Sequence, residues 1–356
     1  MNGKTPNFCV VEEKLTSHRS VRVLQGLTSS TIPKDIVAKA EPVILKQLVG
    51  DWPLVKAGKI SDRYSVDYLK QFYNGNTSIV CKIPPENNGR MFYNSNCTDL
   101  DYESFKGRID DTLEAILDCA GKVDEPAYYI ASNIIDTHFP NLLQDNNLTI
   151  PRTMHPDAMK ERVSIWIGAA TTATCHFDAL DNIACCVAGK RRFTIFPPDQ
   201  VTNLYPGPLE PTPGGQVISL VDFKNPDFEK FPRFKTALQN ALVAELEPGD
   251  ALYLPSMWWH HVESLAPYNI LVNYWWDDAP SFLMSGMNAL YAAMLGIRDK
   301  SAHERHGWQQ LFNHYIFNGA ETANSYIPAE AHGFLKPLER LESRKLRALL
   351  INKLNR

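Results

Sequence analysis

From Ala127 to Trp276 the chain repeatedly breaks into short apolar runs: AYYIAS, VSIWIG, NIACCVAG, RRFTIF, ALYLP and NILVNYWW. Each is rich in β-branched and aromatic residues and is closed by Gly, Pro or Asp, which is how strands bounded by turns read. Many such strands in succession buy little stability singly and imply an all-β sandwich or barrel.

The flanks have a different texture. Residues 30–75 mix helical and short extended patterns, and the first helix is expected to end before Pro42, because proline restricts the residue ahead of it. TSIVCKI at 77–83 reads as a strand closed by PPENNG. Residues 100–120 read as helix, with apolar positions at Phe105, Ile109, Leu113, Ile116 and Leu117. After Asp278 the pattern is helical again. The expected fold is mainly β with α additions: an N-terminal α/β elaboration over 1–124, a β core over 125–280 and a C-terminal helical region over 281–356.

Within the β region, TTATCHFDALDN at 171–182 carries His176 and Asp178 two residues apart. Side chains at i and i+2 of a strand leave the same face, so an imidazole and a carboxylate share one space. A third donor comes 84 residues after His176, in PGDALYLPSMWWHHVESL, where His260 and His261 follow two tryptophans. Neighbours on a strand face opposite ways, so at most one of the two points in with the His176 pair. Two histidines and one carboxylate on one face of a metal leave three positions open. That donor set belongs to non-haem Fe(II) oxygenases, which need those positions for a chelating cosubstrate and O2. The competing reading is an inert barrel with satisfied core histidines, but an unpaired buried Asp178 would be costly.

Composition narrows the field. A net charge of −4 argues against nonspecific nucleic-acid binding, and no apolar stretch approaches a membrane span. The N-terminus lacks a charged-then-apolar signal pattern, which points to the cytoplasm. The seven cysteines (Cys9, Cys81, Cys97, Cys119, Cys175, Cys185 and Cys186) form no CxxC pair, so neither a zinc ribbon nor a disulfide framework is indicated. Cys185 and Cys186 read as small apolar strand residues.

HFD at 176–178, AGKRRFTIFPPDQ at 188–200, LYPGPLEP at 204–211, GDALYLPSMWWHHVESL and NYWW at 273–276 together resemble the JmjC-type (cupin-like) 2-oxoglutarate oxygenases, closest in pattern to their asparaginyl-hydroxylase branch. The resemblance implies a double-stranded β-helix (jelly-roll) core. It implies Fe(II) held by His176, Asp178 and His260, with 2-oxoglutarate and O2 as cosubstrates. It places Arg191, where the family usually has lysine, against the distal carboxylate of 2-oxoglutarate; Lys190 lies one residue earlier. Tyr129, Asn182, Asn273 and Trp275 match further cosubstrate contacts. The usual Ser or Thr three residues before the first histidine is Ala173 here, leaving Thr174 or Thr172 to substitute. The implied reaction is hydroxylation, most readily of a protein or peptide side chain, with release of succinate and CO2. The rivals are a lysine demethylase, a small-molecule or tRNA hydroxylase of the same class, and a catalytically silent metal-binding scaffold.

The connection 199–246 is expected to border the pocket mouth and shape a substrate groove. His303 and His306 in HERH read as helix surface. The basic, amphipathic stretch 340–356 reads as a docking or dimer helix, and the resemblance implies a homodimer through C-terminal helices.

Overall fold

The structure, a computed structural model, describes residues 19–150, 156–318 and 324–355. Cys9, the N-terminal segment read for a targeting signal, and Arg356 lie outside the described residues. The chain divides into two compact units: Met1–Thr153 with Lys160–Asp277, and Met154–Met159 with Asp278–Arg356.

The first unit is built on two sheets. The smaller has the order β1 (Arg19–Ser20), β12 (Leu242–Leu246), β11 (Arg191–Phe196), β14 (Trp259–Ser264), β9 (Thr172–Phe177) and β5 (Arg90–Met91). The larger runs β2 (Arg22–Leu24), β3 (Val43–Leu45), β13 (Ala251–Leu254), β10 (Asp181–Ala188), β15 (Asn269–Trp276), β8 (Arg162–Gly168), β7 (Ala127–Ile134), β4 (Thr77–Ile83) and β6 (Glu103–Arg108). Within these, β12-β11-β14-β9 and β13-β10-β15-β8 are two four-stranded faces joined by strands that alternate between them, which is the jelly roll. The chain therefore closes most of its edges, and the short apolar runs gain partners on both sides.

Alternation sorts the side chains of the larger sheet. Ala184, Cys186, Leu252, Leu254 and Leu271 turn inward, to meet Phe193, Ile195, Ala244, Leu246 and Val262 from the smaller sheet. Ile183, Cys185, Val187, Tyr253, Val272, Tyr274 and Trp276 turn outward, beneath Leu54 and Val55 of the helix Pro53–Ile60 and Leu113 and Ile116 of the helix Ile109–Cys119. Cys185 and Cys186 are thus packing residues on opposite faces of one strand.

Residues 100–120 differ from the helical reading. Glu103–Arg108 is an edge strand paired antiparallel with Thr77–Ile83, Phe105 lying opposite Val80, and helix begins only at Ile109. The apolar spacing from Ile109 onward is genuinely helical, whereas Phe105 answers to its cross-strand partner.

In the second unit, Gly286–Ala293 and Ala302–Phe312 are helices with no buried residue, and Arg340–Leu354 buries Ser343 alone. Among the described residues no helix is long and apolar enough to cross a membrane.

Candidate metal centre and adjoining cavity

His176 near the end of β9 and His260 near the start of β14 are direct cross-strand partners, their ring centroids 4.3 Å apart. Asp178 follows β9, and its carbonyl accepts from Met257 N at 2.7 Å, tying it to the turn that launches β14. Its Oδ2 lies 3.8 Å from His260 Nε2, and one donor atom from each of the three residues lies within 4.8 Å of the others. One ion with bonds of about 2.0–2.2 Å draws such a set together.

Backbone carbonyls hold both rings in one tautomer. His176 Nδ1 lies 2.8 Å from Thr174 O, and His260 Nδ1 lies 3.0 Å from Trp258 O. A carbonyl only accepts, so each Nδ1 carries the proton and each Nε2 offers a lone pair. Burial, reinforced by the neighbouring His176, pushes His260 down to about 4, keeping the imidazole neutral as a metal ligand must be. Among the described residues this is the one cluster of three or more His, Cys, Asp or Glu groups with ligand spacing.

His261 faces the other side of the sheet, as alternation requires. It stacks on Phe223 at 4.3 Å and 23°, with both ring nitrogens unpartnered, and burial takes it down to about 3. A cavity of about 600 Å³ on that outer face is lined by His261, Thr172, Arg90, Asp222 and Lys224.

A second set of groups lies deeper in the jelly roll. Arg191 opens β11 opposite Leu246 and Ser264, both on inward-facing positions. It is 3% exposed, forms no ion pair among the described residues, and its Nε and Nη2 have no partner. A buried unpaired guanidinium is costly unless an anion completes it. Lys190, by contrast, is half-exposed and bound to Glu245 and Glu247 at 3.3 and 3.0 Å.

Tyr129 is buried while Tyr128 packs into the outer core, so β7 turns Tyr129 inward. Burial lifts its hydroxyl to about 12, with the Arg191 cation pulling the other way. Asn273 Nδ2 donates to Asn182 Oδ1 at 2.7 Å, leaving Asn273 Oδ1 without a donor. Trp275 stands opposite Asn182 with its indole N–H unpartnered, and the Arg162 guanidinium lies 4.8 Å from its ring centroid.

Two glycines make room for this set. Gly189, at φ +73°, forms the turn before Arg191, and a Cβ there would lie 2.3 Å from Asn269 Oδ1. A Cβ on Gly168 would lie 2.5 Å from the Tyr129 ring.

Thr174 does not join the group. The pairing of β14 with β9 slips between His260 and Val262, so that Ala173, and not Thr174, stands opposite inward-facing Val262. Strict alternation from His176 would have turned Thr174 and Thr172 inward. The bulge reverses that. Thr174 Oγ1 donates instead to Met91 O at 2.9 Å, and Thr172 lines the outer cavity. Nothing in the run TTATCH marks the irregularity. Trp166 and Ser164, which the sequence motifs do not include, are inward-facing residues of β8 whose indole N–H and hydroxyl are unpartnered. Alternation along VSIWIG was the available signal for both.

The 199–246 connection packs on the smaller sheet. Ser219 N donates to Cys175 O, and Phe223 packs on His261, Phe196 and Phe234, so its middle covers the outer face of the smaller sheet. Pro208 and Pro213 meet the hydroxyls of Tyr93 and Tyr102.

A jelly roll with a two-histidine, one-carboxylate cluster at one end of its interior and a buried cation toward the other is a cupin-type architecture. Residues 29–282 match the cupin-like domain family, and the chain belongs to that family. It is 28% identical to HSPB1-associated protein 1 of Rattus norvegicus over 67% of this chain and 49% of that one. It is 32% identical to JmjC domain-containing protein C of Dictyostelium discoideum over 48% of this chain and 40% of that one. It is 27% identical to tRNA wybutosine-synthesizing protein 5 of Gallus gallus over 72% of this chain and 77% of that one. The chain spans about half the length of the HSPB1-associated proteins of rat and human. The likeness extends to JmjC domain-containing proteins without singling out the asparaginyl-hydroxylase branch.

Proposed function

We propose that this protein is an Fe(II)- and 2-oxoglutarate-dependent oxygenase that hydroxylates a side chain of a protein or peptide, releasing succinate and CO2. The observation that carries the reading is the buried Arg191, without an ion-pair partner among the described residues, in the same jelly-roll interior as the His176–Asp178–His260 cluster. A metal site alone would not require that cation. A dicarboxylate reaching from the metal to Arg191 satisfies both ends, and guanidinium grips a carboxylate with two parallel bonds.

His176, Asp178 and His260 would hold the iron. Bound there, Fe(II) supplies the redox chemistry that couples O2 to oxidation of the 2-oxo acid. The remaining work falls to this chain's residues. Arg191 and Tyr129 anchor the distal carboxylate. The Asn182–Asn273 pair supplies polar groups at the metal end, Trp275 walls that end, and the apolar interior excludes water.

The second reading, a hydroxylase acting on tRNA, is favoured by the likeness to tRNA wybutosine-synthesizing protein 5, which covers most of both chains. The net charge of −4 weighs the other way. For partners we propose a second copy of the chain docking through the C-terminal helices, which leave Leu295 79% and Phe317 71% exposed. A cytoplasmic setting is supported by the six cysteines of the described residues, all free.

The test is succinate formation from 2-oxoglutarate by purified protein with Fe(II) and ascorbate, beside Asp178→Ala, first alone and then with peptide and tRNA pools. Iron-dependent turnover lost in the variant is expected, with stimulation by peptides. Stimulation by tRNA alone would favour the second reading. Absence of both turnover and 2-oxoglutarate binding would leave a silent scaffold.

A further inference from the structure

We propose that the indole N–H of Trp166 is a third donor to the distal carboxylate of 2-oxoglutarate, beside Arg191 and Tyr129; this rests on the oxygenase reading.

The sheet registers place the groups by depth. The turn after Asp178 leads into β10, so its Asn182–Trp275 level is the metal end. Four residues on, or about 13 Å at strand rise, Cys186 pairs with Leu271, and Leu271 pairs with Trp166. On the other sheet Ile195 stands opposite His260, and Arg191 lies four residues back toward the same deep end. The backbones of Trp166 and Arg191 therefore share a level away from the metal, and that of Trp275 lies at the metal end, although its ring reaches back to Trp166.

At that level Trp166 contacts the groups that matter. Its ring centroid is 5.9 Å from that of Tyr129 and 5.7 Å from that of Trp275, and it packs with Ala173 against the cluster of Cys81, Ile83, Met91 and Tyr129. Its Nε1 is buried and has no acceptor. A buried indole N–H ordinarily finds one. Beside the Ser264 hydroxyl, which can both donate and accept, the groups at this depth are donors or a cation: the Arg191 guanidinium, the Tyr129 hydroxyl and the Trp166 N–H. A carboxylate brings about four acceptor sites and one negative charge, which completes all three together. Ala173, which packs against the same cluster, brings no polar side-chain atom.

The test uses Mn(II)-loaded protein, which binds without turning over, and calorimetric titration of 2-oxoglutarate. Trp166→Phe keeps the ring and deletes the donor. It should raise the Kd about tenfold, equivalent to about 1.4 kcal/mol, while the weaker binding of 2-oxobutyrate, which lacks the distal carboxylate, stays unchanged. Ala173→Thr in the Trp166→Phe background, which puts a hydroxyl on the same side, should restore most of the affinity. If Trp166→Phe unfolds by circular dichroism, Trp166→His supplies a ring N–H in its place and should bind 2-oxoglutarate more tightly than Trp166→Leu. Equal losses for 2-oxoglutarate and 2-oxobutyrate, or no loss for either, would overturn the assignment. Failure of the wild type to bind 2-oxoglutarate at all would instead overturn the oxygenase reading, and this assignment with it.

Discussion

Gly189→Ala tests how the fold delivers its buried cation. Gly189 sits two residues before Arg191 at φ +73°, a left-handed conformation that costs alanine about 1–2 kcal/mol. The new Cβ would stand 2.3 Å from Asn269 Oδ1 and 2.5 Å from Tyr268 O. Asn269 is fully buried and cannot swing into solvent: Oδ1 accepts from Lys190 N at 3.2 Å, while Nδ2 donates to Ala266 O at 2.6 Å and Ala169 O at 3.2 Å. Displacing it breaks at least one of these bonds, at about 1–3 kcal/mol where a buried group is left unpaired. Together the terms give about 2–5 kcal/mol. At about 2–4 °C per kcal/mol for a domain of this size, the melting temperature should fall by about 4–20 °C. Because the shifted turn leads directly into Arg191, 2-oxoglutarate affinity should fall as well, with metal affinity retained. Thermal melts and Mn(II)-supported titration read the two effects. A melting temperature within about 2 °C of wild type and unchanged affinity would refute the reasoning.

Four further outcomes follow from the same structure. Gly168→Ala drives a Cβ into the Tyr129 ring and should weaken 2-oxoglutarate binding more than metal binding, by calorimetry of each. Asp250, fully buried and accepting from Lys46 Nζ at 2.6 Å, Glu247 N at 2.9 Å and Gln47 N at 3.0 Å, should cost about 1–3 kcal/mol when changed to alanine, by denaturant unfolding, because the two N–H groups lose their acceptor. Burial alone would raise that carboxyl, but Lys46 and the two N–H groups hold it below its ordinary value. Its contribution should therefore be complete above about pH 4 and disappear as the pH falls through the lowered native value. Deleting 207–215 should raise the apparent KM for a peptide substrate while leaving uncoupled 2-oxoglutarate turnover intact, and loss of both would count against a groove role. Leu295→Glu with Phe317→Glu should convert a dimer to a monomer in sedimentation velocity, whereas an unchanged sedimentation coefficient would remove the C-terminal helices as the interface.

The parts of this protein that could be read in its sequence are those where a simple periodicity holds. The runs from AYYIAS to NILVNYWW emerge as strands, and the H-x-D pair meets His260 because strands β9 and β14 pair directly. Alternation says that only one of His260 and His261 can face the pair; the family resemblance pointed to His260, and the register of β14 against β9 puts it there. Phe105 misled because one aromatic residue can extend a helical stripe or end a strand, and its partner Val80 lies 25 residues away in the chain. Thr174 misled because a single bulge inverts the face of every residue behind it, and no side chain in TTATCH announces one. Trp166 went unnoticed for another reason. An aromatic residue in an apolar strand looks like packing, and only the absence of an acceptor for its N–H distinguishes it.

The most direct measurement is an anaerobic calorimetric titration of Fe(II), followed by 2-oxoglutarate, into wild type, Asp178→Ala and Arg191→Met. The account predicts one Fe(II) per chain and then one 2-oxoglutarate in the wild type, loss of both steps in Asp178→Ala, and loss of only the second in Arg191→Met. Undiminished iron binding by Asp178→Ala, or full 2-oxoglutarate affinity in Arg191→Met, would contradict it.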